Sequence, residues 1–199
     1  IPAALMGTWV HAGFRDRARR GSLPGHLLTA LNLDLVALNQ PDVFVALLCA
    51  RVDVRGAVLT YANAGLTPPL LRRRDGRCEV LDESGLLLGV MPGARYVDRS
   101  VELDAGDVVV LYSDGLTEAR RGGEEFGLEG IRRVLEAHAR QGAEEILRAL
   151  LAEVQAFADG PMDDVTVVVL KQLTRPARLA GGGGQEELKL EAGAADTTM

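Results

Sequence analysis

The chain has 199 residues, 47% of them hydrophobic and 25% charged, with a net charge of -6. That length suits one domain with a substantial core, and the composition is ordinary for a soluble globular protein. The acidic balance repels a phosphate backbone, which argues against nucleic-acid binding and against a two-metal nuclease, and no apolar run reaches the roughly 20 residues of a membrane span.

Residues 1–20 read as a helix with Leu5, Trp9 and Phe14 on or near one side, arginines in its last turn and Gly21 as its stop. Ser22 reads as the cap of a second helix, with Pro24 in the first turn and Leu27, Leu28, Leu31 and Leu35 forming an apolar stripe. From Val43 the period changes. Residues 44–52 and 57–62 read as strands around a turn at 53–56, and Asn63-Ala64-Gly65 interrupts the pattern. Leu70-Leu71 and Glu79-Val80-Leu81 flank Asp75-Gly76, a pair that tolerates the positive φ of a hairpin turn. Residues 96–103 alternate like a half-buried strand, and Ala105-Gly106-Asp107 turns the chain into a strand at 108–112. Two helices follow, one burying Leu128, Ile131, Val134 and Leu135, the other Ile146, Leu147, Leu150, Leu151 and Val154. Gln141-Gly142 separates them, and Glu144 and Glu145 suit the new N-terminus. A last strand covers 165–170.

Short turns between strands imply antiparallel pairing, because parallel crossovers need a dozen or more residues. Helices segregated from strands imply an α+β fold with helices over antiparallel sheets. One domain is expected over 1–174. Residues 175–199, with four consecutive glycines at 181–184, are expected to form a flexible tail or linker.

Two carboxylates carry the chemical signal. Asp114 follows the apolar run ending at Tyr112-Ser113, and Asp163-Asp164 precede the run beginning at Val165. If these strands are antiparallel, both acids lie at one end of the sheet, where a hard divalent cation would relieve their repulsion. Gly115 lets the chain turn sharply after Asp114 and keeps the place open. Taken singly, Asp-Gly after a strand is an ordinary turn, and Asp163-Asp164 an ordinary acidic corner.

The ordered set is more specific. Pro2-Ala3-Ala4-Leu5-Met6, Leu31-Asn32, Phe44-Val45, Tyr61-Ala62-Asn63-Ala64-Gly65 with Pro68-Pro69, Leu88-Gly89-Val90, Gly106-Asp107, Tyr112-Ser113-Asp114-Gly115-Leu116-Thr117-Glu118, Phe126-Gly127 and Asp163-Asp164-Val165-Thr166 occur in that order. Together they resemble the SpoIIE/RsbU branch of the metal-dependent serine/threonine protein phosphatases (the PPM, or type 2C, family), over residues 1 to about 173. The resemblance implies a sandwich of two antiparallel sheets flanked by helices in four αββα layers. It implies a binuclear Mn²⁺ or Mg²⁺ centre whose bound water attacks phosphoserine or phosphothreonine. On the matching motifs, Asp114 and Asp163 are implied metal ligands and catalytic residues, with Asp164 the second choice for the latter position. The implied substrate is a phosphorylated anti-sigma-factor antagonist, under the control of an upstream sensor domain in a bacterial signalling pathway.

Two departures accompany the resemblance. The family's Gly-Gly-Asp and Asp-Val-Ser-Gly-His-Gly segments, which supply further acidic ligands, lie upstream of the Pro-Ala-Ala-Leu helix at which this chain starts. The domain is therefore expected to be N-terminally incomplete, and poorly active alone. Leu66 stands where the branch often has His. The alternative reading is a catalytically deficient phosphatase-like interaction module. The domain is expected to be cytoplasmic and to make no membrane contact, a membrane-anchored upstream segment being compatible with that.

His11, His26 and His138 have no partner at ligand spacing and read as surface or partly packed residues. Arg72, Arg73, Arg74 and Arg77 read as a solvated loop rather than a docking patch. Cys49 and Cys78 read as buried cytosolic thiols.

Overall fold

The computed structural model describes residues 3–38, 43–82, 84–173 and 190–197. The chain divides into two compact units, residues Ile1–Asp53, Val58–Leu66 and Glu83–Glu102 in the first, and Val54–Ala57, Thr67–Asp82 and Leu103–Met199 in the second.

In the first unit, α1 (Ala3–Arg19) and α2 (Pro24–Ala37) accompany a sheet of β1 (Leu47–Asp53), β2 (Val58–Ala64) and β5 (Arg99–Glu102) in the antiparallel order β1-β2-β5. Met6 and Val10 of α1 are buried one helical turn apart, whereas Leu5, expected on the packed side, is 61% exposed. Gly21 takes φ 75° and stops α1 as expected. The cap of α2 differs from expectation. Its N-cap is Leu23 with no side-chain hydrogen bond, and Pro24, which has no N–H to satisfy, opens the helix instead of Ser22 capping it. Leu27, Leu28, Leu31 and Leu35 are buried as their spacing requires. α1 and α2 approach closely, since a Cβ on Gly13 would stand 2.9 Å from Leu31 Cδ2.

Two expected strands are shorter than their apolar patterns. The first begins at Leu47; Phe44 is 51% exposed, and Val45 makes an isolated bridge to Leu88. The run at 96–103 pairs over Arg99–Glu102 alone. Before it, Tyr96 serves α2: a Cβ on Gly25 would meet the Tyr96 carbonyl oxygen at 2.3 Å, and the Tyr96 amide donates to Thr29 Oγ1 at 3.2 Å.

The second unit holds the sheet β10-β9-β6-β3-β4, built from β3 (Leu70–Arg72), β4 (Cys78–Val80), β6 (Val108–Tyr112), β9 (Val165–Gln172) and β10 (Leu190–Thr197), every neighbour antiparallel. With it go a one-turn helix α3 (Asp114–Thr117), a small hairpin of β7 (Arg120–Arg121) and β8 (Glu124–Glu125), and the helices α4 (Gly127–His138) and α5 (Ala143–Phe157). Val108, Val110 and Tyr112 of β6 and Val165, Val167 and Val169 of β9 form one core with Ile131, Val134, Leu135, Ile146, Leu150 and Val154 of the two helices. Val109 is buried too, so β6 is central and its pattern continuous rather than alternating. Leu128 and Leu151 pack at the margin of this core. Lys171 of β9 is buried and donates to the Ala139 carbonyl at 3.0 Å and to that of Gln141, satisfying carbonyls beyond the end of α4 with a positive charge.

The fold is thus mixed α and β with antiparallel sheets. The expected flexible tail is corrected in part. Residues 190–197 form β10, paired with β9 from Leu190↔Gln172 to Thr197↔Val165, while the glycines at 181–184 lie outside the described residues. The pairing uses backbone groups that β9 would otherwise leave open along one edge, a demand that needs no apolar face on the incoming strand.

Candidate active site

The register of β6 on β9 sets the site. Tyr112 pairs with Val167, and one step further the Ser113 amide donates to the Thr166 carbonyl at 2.9 Å. The Ser113 hydroxyl then joins the two acidic motifs. It accepts from the Thr166 amide at 2.9 Å and donates to the Asp164 carbonyl at 3.1 Å. Asp114 and Asp163 therefore leave and enter the sheet at the same end, as the antiparallel reading requires.

Gly115 makes the junction tight. A Cβ there would stand 2.5 Å from the Asp164 carbonyl oxygen and 3.2 Å from that of Asp163. Only a hydrogen fits between the two turns. α3 begins at Asp114, whose carbonyl accepts from the Glu118 amide at 2.8 Å and from Thr117 Oγ1 at 3.1 Å. Its carboxylate Oδ1 accepts from the Gly115 amide at 3.0 Å, and Asp163 Oδ1 accepts from the Asp164 amide at 2.7 Å. Each carboxylate spends one oxygen on its own turn. Asp114, Asp163 and Asp164 are all exposed, and none is ion-paired among the described residues. Hard, uncompensated carboxylate oxygens are the donor type that Mg²⁺ and Mn²⁺ take. Among the described residues, however, no three or more His, Cys, Asp or Glu side chains are grouped so as to hold an ion. The residues present fit the metal in kind and would supply only part of the oxygen ligands such an ion takes.

A second connection was not visible in the motifs. The loop after α5 runs back toward Asp163, and Asp159 on it grips the β7–β8 hairpin. Its amide donates to the Arg120 carbonyl at 3.0 Å, and its carboxylate Oδ2 accepts from the Gly122 amide at 2.8 Å. Gly122 and Gly123, at φ 57° and 88°, make the tight turn between Arg120-Arg121 and Glu124-Glu125. Arg121 lies over the Phe157 ring at 4.5 Å, and Phe157 meets Phe126 edge-on with ring centres 5.5 Å apart. The signal that could have found the hairpin is Gly-Gly between two charged pairs.

Several motif residues hold the fold instead of facing solvent. Buried Asn32 donates to the Met91 carbonyl and accepts from the Gly89 amide, both at 2.8 Å, tying α2 to the Leu88-Gly89-Val90 loop. Asn63 accepts from the Leu66 amide at 2.9 Å and donates to the Leu66 carbonyl at 2.8 Å, closing the turn in which Gly65 takes φ 78°. Asp107, 1% exposed, accepts from Arg73 Nη1 at 2.9 Å, from the Arg74 amide at 2.8 Å and from the Asp104 amide at 3.0 Å. Arg73 also pairs with Glu79 at 3.2 Å, so this arginine is structural and not part of a solvated loop. His11 and His26 are exposed, and His138 Nδ1 lies 3.0 Å from Gln141 Oε1, as expected of surface residues. Cys49 is buried and Cys78 half-buried. An open apolar groove of about 750 Å³ in the first unit, between α1 and residues 43–48, contains none of the acidic candidates.

A family model described as Stage II sporulation protein E (SpoIIE) matches residues 1–172. The phosphoserine phosphatase RsbU of Bacillus subtilis (strain 168) is 26% identical over 174 residues, covering 86% of this chain and 52% of RsbU. The SiaA-PP2C domain of Pseudomonas aeruginosa superposes with a TM-score of 0.71 at 23% identity, over 85% of this chain and 69% of that one. The RsbU and RsbW domains of Rv1364c from Mycobacterium tuberculosis give a TM-score of 0.68 at 21% identity, over 87% of this chain and 49% of theirs. The two solved structures share the fold. The chain spans about half the length of RsbU.

Proposed function

This chain belongs to the SpoIIE family, and from that premise we propose that it forms part of a metal-dependent phosphatase acting on phosphoserine or phosphothreonine in proteins. The observation that carries the reading is the β6–β9 register, which brings the Asp114 turn and the Asp163-Asp164 turn against each other at one sheet end. The naming of RsbU as a phosphoserine phosphatase supports the reaction class.

In this reading Asp114 and Asp163 are the metal ligands, with Asp164 the second choice for the latter position. A divalent Mn²⁺ or Mg²⁺ held there would supply Lewis acidity, lowering the pKa of water and offsetting phosphate charge. The chain's own residues do the rest. The local amides of Gly115 and Asp164 orient one oxygen of each carboxylate, and the other oxygen of each would be available to the ion. Ser113 fixes the spacing of the two turns, and Gly115 lets them approach without a side chain between. The exposure of all three acids suits a substrate as large as a folded phosphoprotein. We propose an anti-sigma-factor antagonist as that substrate, with a sensor region of the same protein as the input. RsbU, and Rv1364c with its RsbU and RsbW domains, support this choice. No helix among the described residues is long and apolar enough to cross a membrane.

The test is Asp114→Asn in the full-length protein, with phosphate release from a phosphoserine peptide measured in Mn²⁺ and in Mg²⁺. The substitution removes charge at nearly constant volume. Turnover is expected to fall by about 100-fold or more with the circular dichroism spectrum unchanged, since loss of a direct ligand costs at least as much as loss of an outer-shell partner. Near-parental turnover would remove Asp114 from the metal site and leave the reading of a phosphatase-like interaction module.

A further inference from the structure

The two acidic turns are linked by more than the sheet. From Asp114 the chain runs through α3 to Arg120; from Arg120 and Gly122 two hydrogen bonds cross to Asp159; from Asp159 the loop reaches Asp163 in four residues; and from Asp164 the bond to Ser113 closes the circuit. At the sheet end the circuit is fixed by β6 and β9. On its far side it is fixed by Asp159, with support from Arg121 stacked on Phe157. The segment 158–164, which lies between α5 and β9 and has no regular secondary structure, is otherwise held by its two ends and by Ala158 and Met162, which pack at the margin of the core; Asp159 adds the hydrogen bonds that tie it to the hairpin.

We propose that Asp159 is a positioning residue for the metal site: by clasping the β7–β8 hairpin to the loop that carries Asp163, it holds the Asp163 carboxylate at the spacing from Asp114 that a divalent ion requires. This rests on the phosphatase reading above and adds a residue to it. The clasp is reciprocal. Asp159 donates through its amide to Arg120 and accepts through its carboxylate from Gly122, so both the direction and the distance of the hairpin are set. Gly122 and Gly123 take left-handed φ values at the hairpin turn, and the Gly122 amide there is the donor to the Asp159 carboxylate. The action of Asp159 is mechanical and does not depend on its charge. An asparagine offers the same carbonyl oxygen to Gly122; an alanine offers nothing.

The experiment compares Asp159→Ala and Asp159→Asn with the parent in the full-length protein. Mn²⁺ binding is measured by calorimetry without substrate, and exchange of the Gly122 amide by hydrogen–deuterium methods. Asp159→Ala is expected to speed exchange at Gly122 and to raise the Mn²⁺ dissociation constant about 10-fold, the lower range for loss of an outer-shell partner. Turnover should be depressed at limiting Mn²⁺ and largely restored at saturating Mn²⁺, with KM for phosphopeptide little changed. Asp159→Asn should match the parent in all of these. Two results overturn the proposal: faster exchange at Gly122 in Asp159→Ala with unchanged Mn²⁺ affinity, or equal weakening by Asp159→Asn, which would make the charge and not the clasp responsible. Failure of the underlying reading shows itself differently, as Asp114→Asn retaining the parent's Mn²⁺ affinity.

Discussion

Adding one methyl group at Gly115 tests how closely the two acidic turns meet. The ideal Cβ stands 2.5 Å from the Asp164 carbonyl oxygen, and ordinary contact begins at 3.4 Å, so the turns must separate by about 0.9 Å. Gly115 is buried and its obstacle is backbone, so no side chain can swing aside. Overpacking of this kind costs about 1–3 kcal/mol. A shift of that size also takes the Asp164 carbonyl out of reach of Ser113 Oγ, now 3.1 Å away, for about 1 kcal/mol more. Gly115→Ala should therefore destabilise the chain by about 2–4 kcal/mol, a large part of the roughly 5–15 kcal/mol typical of a domain. Urea denaturation followed by circular dichroism reads this as a midpoint lowered by about 1–2 M, for a slope near 2 kcal/mol/M. Gly160→Ala is the control, since a Cβ there meets nothing within 4 Å at an ordinary φ, and surface changes of that kind stay within about 0.5 kcal/mol. A Gly115→Ala chain as stable as the Gly160→Ala control would refute the close approach and the junction built on it.

Asp107→Ala removes the acceptor of three hydrogen bonds, one of them from Arg73, from a site 1% exposed, so a loss of about 3 kcal/mol is expected by the same denaturation assay. Burial pushes the Tyr112 hydroxyl up to about 12 from the ordinary 10.0, against a smaller opposing effect of Arg132. Its neutral form is favoured by the fold, so it has no effect on stability below pH 10, and stability falls as the pH rises from 10 toward 12, where only the unfolded chain releases the proton. Ultraviolet titration should show the late phenol transition toward 12 reduced in Tyr112→Phe relative to the parent, with a shallower alkaline loss of stability in the variant.

Much of the second unit was legible in the sequence because its signals are local. Continuous valine-rich runs read as buried strands at 108–112 and 165–170, and α4 and α5 followed from helical spacing of their apolar residues. The candidate acids were legible for the same reason, one carboxylate following an apolar run and one preceding another. Strand ends in the first unit were less so. A pattern that tolerates a sheet at 44–46 and 96–98 does not say where pairing ends: β1 begins at Leu47 opposite Ala64, where β2 ends, whereas β5 leaves β2 at Tyr61 because Tyr96 and Asp98 bond to α2 instead.

What the sequence alone determined, then, is which segments are apolar enough to be central, that they pair antiparallel, and that acids flank two of them. The tertiary structure decided what those acids meet. Ser113 joins Thr166 from 53 residues away, Arg73 reaches Asp107 from 34, and Asn32 receives the Gly89 amide from 57. Polar residues of the motifs, among them Asn32, Asn63 and Asp107, are satisfied groups inside the fold, which their sequence context did not reveal. β10 was hidden for a related reason: a strand added to an open edge is chosen by unpaired backbone amides and carbonyls, which every residue except proline carries alike, so no side-chain pattern announces it. Hydrogen bonds between distant segments depend on where the chain returns to, and that return is fixed only once the core has been packed.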